Sequence, residues 1–146
     1  MTHALIKNWM ITDLITVHVD TTLPDAHKLM KDNKIRRLPV VNDANELIGI
    51  VTRGDVRGAS PSPATSLNVW ELNYLLAKLT VGEFMTRDVL TISPETTITE
   101  AAEIMMNKKV SGLPVVNGNN TLVGIITESD LFRIMVSMLQ REAAAV

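Results

Sequence analysis

The sequence predicts an α/β fold built from one β-α-β-β-α unit used twice. Three observations carry this expectation. The strings "GIVTRGD" (49–55) and "GIITESD" (124–130) write one pattern twice, seventy-five positions apart. Sliding the chain by that offset aligns Met10–Arg57 with Met85–Phe132 without a gap, and more than a third of the aligned positions are identical. Within each copy the apolar spacing changes from strand-like to helical and back in the same order.

The first element of each copy is a short β-rich run, "LITVHV" (14–19) and "VLTISP" (89–94). Helical spacing follows, with Leu23, Ala26, Leu29 and Met30 matching Ile98, Ala101, Ile104 and Met105. Thr22 with Asp25, and Thr97 with Glu100, predict capping boxes that open these helices. Pro24 falls in the first turn, where its missing N–H costs little.

"LPVV" then occurs at 38–41 and again at 113–116. The turn-rich strings "NDANE" and "NGNNT" lead into "LIGIVT" and "LVGIIT", which predicts a hairpin in each copy. Continuous apolar runs predict strands buried on both faces. Gly49 and Gly124 are expected to permit close backbone packing within the hairpins. A second helix follows each hairpin. Neither copy is large enough to bury its strands well, so the two are expected to pack together.

Between the copies, Gly58 and the prolines of "GASPSPATS" break the pattern and predict a turn or flexible loop. "LNVWELNYLLAKLTVGEFM" resumes a helical pattern. Near the C-terminus, Leu131, Ile134, Met135, Met138 and Leu139 form one apolar stripe that can cover the core or meet a partner. The expected division is 1–58 for the first repeat, 59–80 for linker and helix, and 81–146 for the second repeat with its C-terminal helix.

Composition narrows the function. Apolar residues make up 46% of the 146, enough for a packed core, and aliphatic residues with eight methionines must fill it because aromatics are scarce. A formal net charge of −2 argues against a broad nucleic-acid-binding face. No apolar run approaches the ~20 residues of a membrane span, and the N-terminus does not resemble a signal peptide. A cytoplasmic location is expected. Without cysteine, disulfides and thiolate chemistry are excluded. His3, His18 and His27 lack metal-ligand spacing and are expected to be surface or structural. No nucleotide-binding glycine loop or nucleophile constellation occurs, so neither a catalytic residue nor a catalytic cofactor is expected. Trp9, Trp70 and Tyr74 lie on apolar helical stretches and are expected in the core or at an interface.

The repeated T-x-x-D admits two readings. A threonine N-cap with an acid three residues later is a good capping arrangement. The same position suits a ligand, because a helix start favours phosphate and an acceptor-only carboxylate matches ribose hydroxyls. The copies differ in charge: Arg36, Arg37 and Arg53 of the first correspond to Ser111, Gly112 and Glu128 of the second. This difference predicts one phosphate-rich and one more neutral site.

The paired units, with "LPVV" before each hairpin strand and G-h-h-T-x-x-D after the turn, resemble a tandem pair of cystathionine-β-synthase (CBS) domains. "IKNWM" and "ATSLNVWELNYLLAKLTVGEFM" are further similar to the acetoin-utilisation B type. Many members of that type add a C-terminal ACT-like domain, which this chain is expected to lack. The resemblance implies a flattened module of pseudo-two-fold symmetry with clefts between the repeats for AMP, ADP, ATP or S-adenosylmethionine. It implies ribose contacts from Asp55 and Asp130, and phosphate or ribose contacts from Thr52 and Thr127. Backbone around Thr16–Val17 and Thr91–Ile92 would meet the adenine edge. Ile35, Leu38 and Pro39, with Val110, Leu113 and Pro114, would wall the clefts. The expected function is a regulatory sensor of an adenosine ligand acting as a homodimer on a downstream protein that the sequence does not name. The alternative is a dimerisation module with degenerate clefts.

Overall fold

The computed structural model describes residues 4–59 and 68–145. The "SPSPATS" segment and His3 lie outside the described residues. In chain order the elements are α1 (Leu23–Asn33), β1 (Arg37–Val41), β2 (Leu47–Thr52), α2 (Arg53–Ala59), α3 (Val69–Lys78), α4 (Val81–Phe84), α5 (Ile98–Lys108), β3 (Gly112–Val116), β4 (Leu122–Thr127) and α6 (Glu128–Ala144). The mixed α/β architecture is the expected one, with two small antiparallel sheets, β1–β2 and β3–β4.

The duplication extends to backbone detail. Arg37 pairs with Thr52 and Gly112 with Thr127, and each hairpin shifts register at the same place, Val40/Val41 and Val115/Val116. Asn42 and Asn117 hold the turns by accepting two backbone N–H bonds each. Asn45 and Asn120 adopt φ of 61° and 62°, a left-handed conformation that asparagine tolerates. α1 and α5 end on Lys34 and Lys109, both at φ 55°. At their starts the Thr22 and Thr97 hydroxyls accept the N–H of Asp25 and Glu100.

Two expectations change. The leading runs are not full strands, because each contributes one parallel bridge, Val17 to Val40 and Ile92 to Val115. Tight turns at His18–Thr21 and Ser93–Thr96 begin one residue later and remove the chain from the ladder. The helical pattern after the linker is also two helices. Leu79 and Thr80 are extended between α3 and α4, and Thr80 caps α4 together with Glu83.

The chain forms two compact units, Ile15–Val89 and the N-terminal segment through Leu14 with Leu90 onward. In the first, Leu38, Val40, Val51 and Val81 are fully buried with Ala26 and Met30 of α1. In the second, Ile6, Leu113, Val115 and Ile126 are buried with Ala101, Met105 and Ile134. These boundaries cut the chain elsewhere than the repeats do. The segment preceding each repeat is built into the unit that holds the other repeat's hairpin. Thr86 bridges Ile50, and Val81 donates to the Thr21 carbonyl at 2.7 Å. In the same way Ile11 bridges Ile125, and Ile6 donates to the Thr96 carbonyl at 2.8 Å.

Gly49 and Gly124 permit this approach, so the close packing is against the incoming segment and not within the hairpin. A Cβ on Gly49 would lie 2.6 Å from the Met85 sulfur and 3.0 Å from the Thr86 carbonyl oxygen. One on Gly124 would meet the Met10 side chain and stand 3.2 Å from the Ile11 carbonyl oxygen. Methionine can swing aside, whereas bridged backbone cannot do so without losing its bonds. Gly49→Val and Gly124→Val are each expected to lose about 1–3 kcal/mol in denaturant unfolding. Losses below about 0.5 kcal/mol would show that the segment yields freely.

Candidate ligand-binding site

The handover from β2 to α2 fixes the geometry of the first repeat. The Thr52 N–H donates to Asp55 Oδ2 at 2.9 Å, and the Asp55 N–H donates to the Thr52 hydroxyl at 3.1 Å. This reciprocal pair is a capping box with aspartate as its acid. Arg53 follows, and its N–H donates to the Arg36 carbonyl at 2.8 Å. Two residues seventeen positions apart in sequence are thereby held side by side at the hairpin's open end.

Beside them lies a cavity of about 540 Å³, lined by His27, Met30, Lys31, Lys34, Ile35, Arg36, Arg53 and Val56. Its size is within the range of small-molecule sites. α1 presents His27, Met30 and Lys31 at helical spacing on one face, and its left-handed C-cap turns Lys34 in beside them. Met30 and Val56 belong to the buried core and form the apolar floor. Four permanent cations therefore share one concavity with a histidine and no acid. None of the four pairs with a carboxylate among the described residues.

The structure gathers only some of the expected site residues here. Ile35, Arg36 and Arg53 line the cavity, whereas Arg37 is half-buried outside the lining. Leu38 and Pro39 are buried in strand β1, as are Leu113 and Pro114 in β3. Leu38 and Leu113 pack in the cores of their units, and none of the four lines the cavity. The backbones of Val17 and Ile92 are likewise committed. Their N–H groups donate to the Pro39 and Pro114 carbonyls, and their carbonyls accept from Val41 and Val116. The neighbouring Thr16 and Thr91 are half-buried.

The second repeat copies the box and changes its surroundings. The Thr127 N–H and hydroxyl both donate to Asp130 Oδ2 at 2.9 Å, and Arg133 donates to Oδ1 at 2.8 Å. Asp130 is only 6% exposed, so its acceptor capacity is largely spent within the protein. Asp55 is less committed, since its further partner is the Thr86 hydroxyl at 3.3–3.4 Å. Repeat one's His27, Lys31, Arg36 and Arg53 correspond to Ala102, Met106, Ser111 and Glu128. Val110 is half-buried on the second core, Ser111 is exposed and Gly112 opens β3.

Sequence reasoning missed His27, Lys31 and Lys34. The signal was present in the i, i+4 spacing of His27 and Lys31, at positions where the second copy has Ala102 and Met106. Extending the repeat comparison from the motif to the preceding helix exposes it. No group of metal-binding side chains occurs among the described residues.

Two capped hairpin units, one opening on a cationic cavity, define a duplicated small α/β module with a ligand-sized pocket. The model of the CBS domain matches residues 6–62 and 81–137, and the chain belongs to the CBS domain family. Tandem pairs of this family are regulatory, ligand-binding modules. The chain is similar to the acetoin utilization protein AcuB from Vibrio cholerae, at 31% identity, 96% coverage of both chains and a TM-score of 0.80. The CBS domain pair of protein MJ0100 was solved with 5′-methylthioadenosine and S-adenosyl-L-methionine. It is 28% identical, with 92% of this chain and 97% of that chain covered and a TM-score of 0.75. CBSX2 from Arabidopsis thaliana, solved with AMP, is 28% identical over the same shares, with a TM-score of 0.76.

The boxes make Asp55 and Asp130 structural groups in their own right. Asp55→Ala and Asp130→Ala are each expected to lower unfolding free energy by about 1–2 kcal/mol, because both remove a cap and orphan a backbone N–H. Asp130→Ala is expected to be the more damaging, since its carboxylate is the more buried. Denaturant midpoints without ligand measure this. Equal and negligible losses would mean that the caps are replaceable by water.

Proposed function

We propose that this chain is a regulatory sensor of an adenosine-containing ligand, with its dominant site at the first repeat. The cation-lined cavity beside Ile35, Arg36 and Arg53 is the observation that carries this reading. In it the guanidinium groups of Arg36 and Arg53 bind the ligand's phosphate. Asp55 accepts from the ribose with the capacity that the capping box leaves on Oδ1. Ile35 supplies apolar contact. The ligands named for the MJ0100 pair and for CBSX2 share an adenosine core, which supports the choice of class. Asp130, enclosed by Thr127 and Arg133, with Glu128 alongside, fits a weaker second site.

Self-association belongs to the same proposal. Trp70 is 84% exposed on α3, with Tyr74 and Leu75 also in solvent, so of the two expected placements, core or interface, the core is excluded for Trp70. On α6 only Leu131 and Ile134 of the apolar stripe reach the core, leaving Met135, Met138, Leu139 and Phe132 exposed. Such faces favour association, and a two-fold dimer is its commonest form. No helix among the described residues is long and apolar enough to cross a membrane.

Calorimetry and thermal melts of the full chain with AMP, ADP, ATP and S-adenosylmethionine test the ligand. A bound ligand at a hundred times its Kd should stabilise the fold by about 2.7 kcal/mol. Arg36→Ala and Arg53→Ala should each weaken a phosphorylated ligand about tenfold or more, and Ser111→Ala should change little. Silence from every ligand at millimolar concentration would favour an assembly module. Sedimentation should show a concentration-dependent dimer that Phe132→Glu with Leu139→Glu shifts to monomer. A wild-type monomer at all concentrations would exclude self-association.

A further inference from the structure

We infer that the first-repeat cavity selects ligands with two or more linked phosphoryl groups over monophosphates and over the cationic sulfonium of S-adenosylmethionine. Resting on the nucleotide reading above, it names the class of nucleotide and the residues outside the repeated motif that choose it. Lys31, Lys34, Arg36 and Arg53 converge on a single concavity of about 540 Å³ with His27. No carboxylate lines it, and none among the described residues pairs with these four cations. A phosphomonoester carries about −1.5 to −2 at neutral pH, which leaves at least two of the four cations uncompensated. Each additional phosphoryl group adds a further negative charge and new acceptor oxygens.

The cations also reach the cavity from two separate elements of the first repeat. Arg36 and Arg53 are joined through the 2.8 Å backbone bond at the hairpin end, and Lys31 and Lys34 come from α1. One phosphate at the arginine pair leaves the α1 lysines for the next. A sulfonium would stand among like charges. Lys34 sits at φ 55°, a conformation in which glycine is less strained, so its side chain is held there at a conformational disadvantage. The second repeat has Lys109 at the same backbone angle, but Met106, Ser111 and Glu128 replace the other three cations.

The matched left-handed lysines provide a test that separates binding from folding. The full chain is titrated calorimetrically with AMP, ADP, ATP and S-adenosylmethionine, and with inorganic phosphate, pyrophosphate and tripolyphosphate as probes lacking a nucleoside. Affinity should rise about tenfold with each added phosphoryl group and the gain should shrink as salt rises. Tripolyphosphate should displace ATP. Lys34→Gly should cut the ATP-over-AMP preference about tenfold without lowering the melting temperature, whereas Lys109→Gly should leave that preference in place. Lys31→Ala should act as Lys34→Gly does. AMP binding as tightly as ATP, or Lys34→Gly and Lys109→Gly behaving alike, would overturn the inference while leaving the nucleotide reading intact. Tripolyphosphate binding without any nucleotide binding would support the polyanion cavity and overturn the nucleotide reading instead.

Discussion

The reciprocal hydrogen bonds between Thr52 and Asp55 hold the first repeat's site together, and Thr127 with Asp130 repeats them. A strand ending at the open side of a hairpin leaves a helix start with unsatisfied donors. The box satisfies two of them and fixes the angle at which the helix leaves the strand. In the first repeat, that angle and the Arg53-to-Arg36 backbone bond set two guanidinium-bearing residues beside α1. The handover forms one side of the cavity, and α1 forms the other. The capping and ligand-binding readings of T-x-x-D are therefore compatible at Asp55, where Oδ2 caps and Oδ1 has only the long contact with the Thr86 hydroxyl.

The two repeats show how one scaffold carries different chemistry. Their hairpin registers, bulges, asparagine turns and left-handed lysines coincide. Packing and backbone hydrogen bonding fix these features, so they tolerate little change. Side chains around the box face solvent or cavity and are free to differ. Arg133 closes over Asp130 in the second repeat at the position that Gly58 occupies in the first. Glu128 and Met106 meanwhile stand where the first has Arg53 and Lys31. The scaffold stays the same, and the electrostatics separate.

Connectivity adds a further constraint. Because Ile6 and Val81 are each buried in the unit that holds the other repeat's hairpin, neither repeat is a self-sufficient folding segment as written in sequence. Gly49 and Gly124 are small for that reason, being where a neighbouring backbone approaches. A ligand or substitution that disturbs the incoming segment of one unit acts on chain adjoining the other repeat.

By itself the sequence determined the duplication, the hairpins, the caps of α1 and α5, and the charge asymmetry between the copies. Each is written in local spacing, and local spacing is what periodicity, turn residues and capping pairs report. Tertiary structure decided the rest. It buried Leu38, Pro39, Leu113 and Pro114 in the strands, because a continuous apolar string does not say which face meets the core. It occupied the backbones of Val17 and Ile92 with bridges that depend on residues more than twenty positions away. It brought His27, Lys31 and Lys34 to Arg36 and Arg53, since only the packing of α1 beside the hairpin makes one cavity of separate charges. Which segment completes which unit was likewise a choice of packing: the pre-repeat segments resemble each other, and burial of Ile6 and Val81 with the bridges from Ile11 and Thr86 decides their partners.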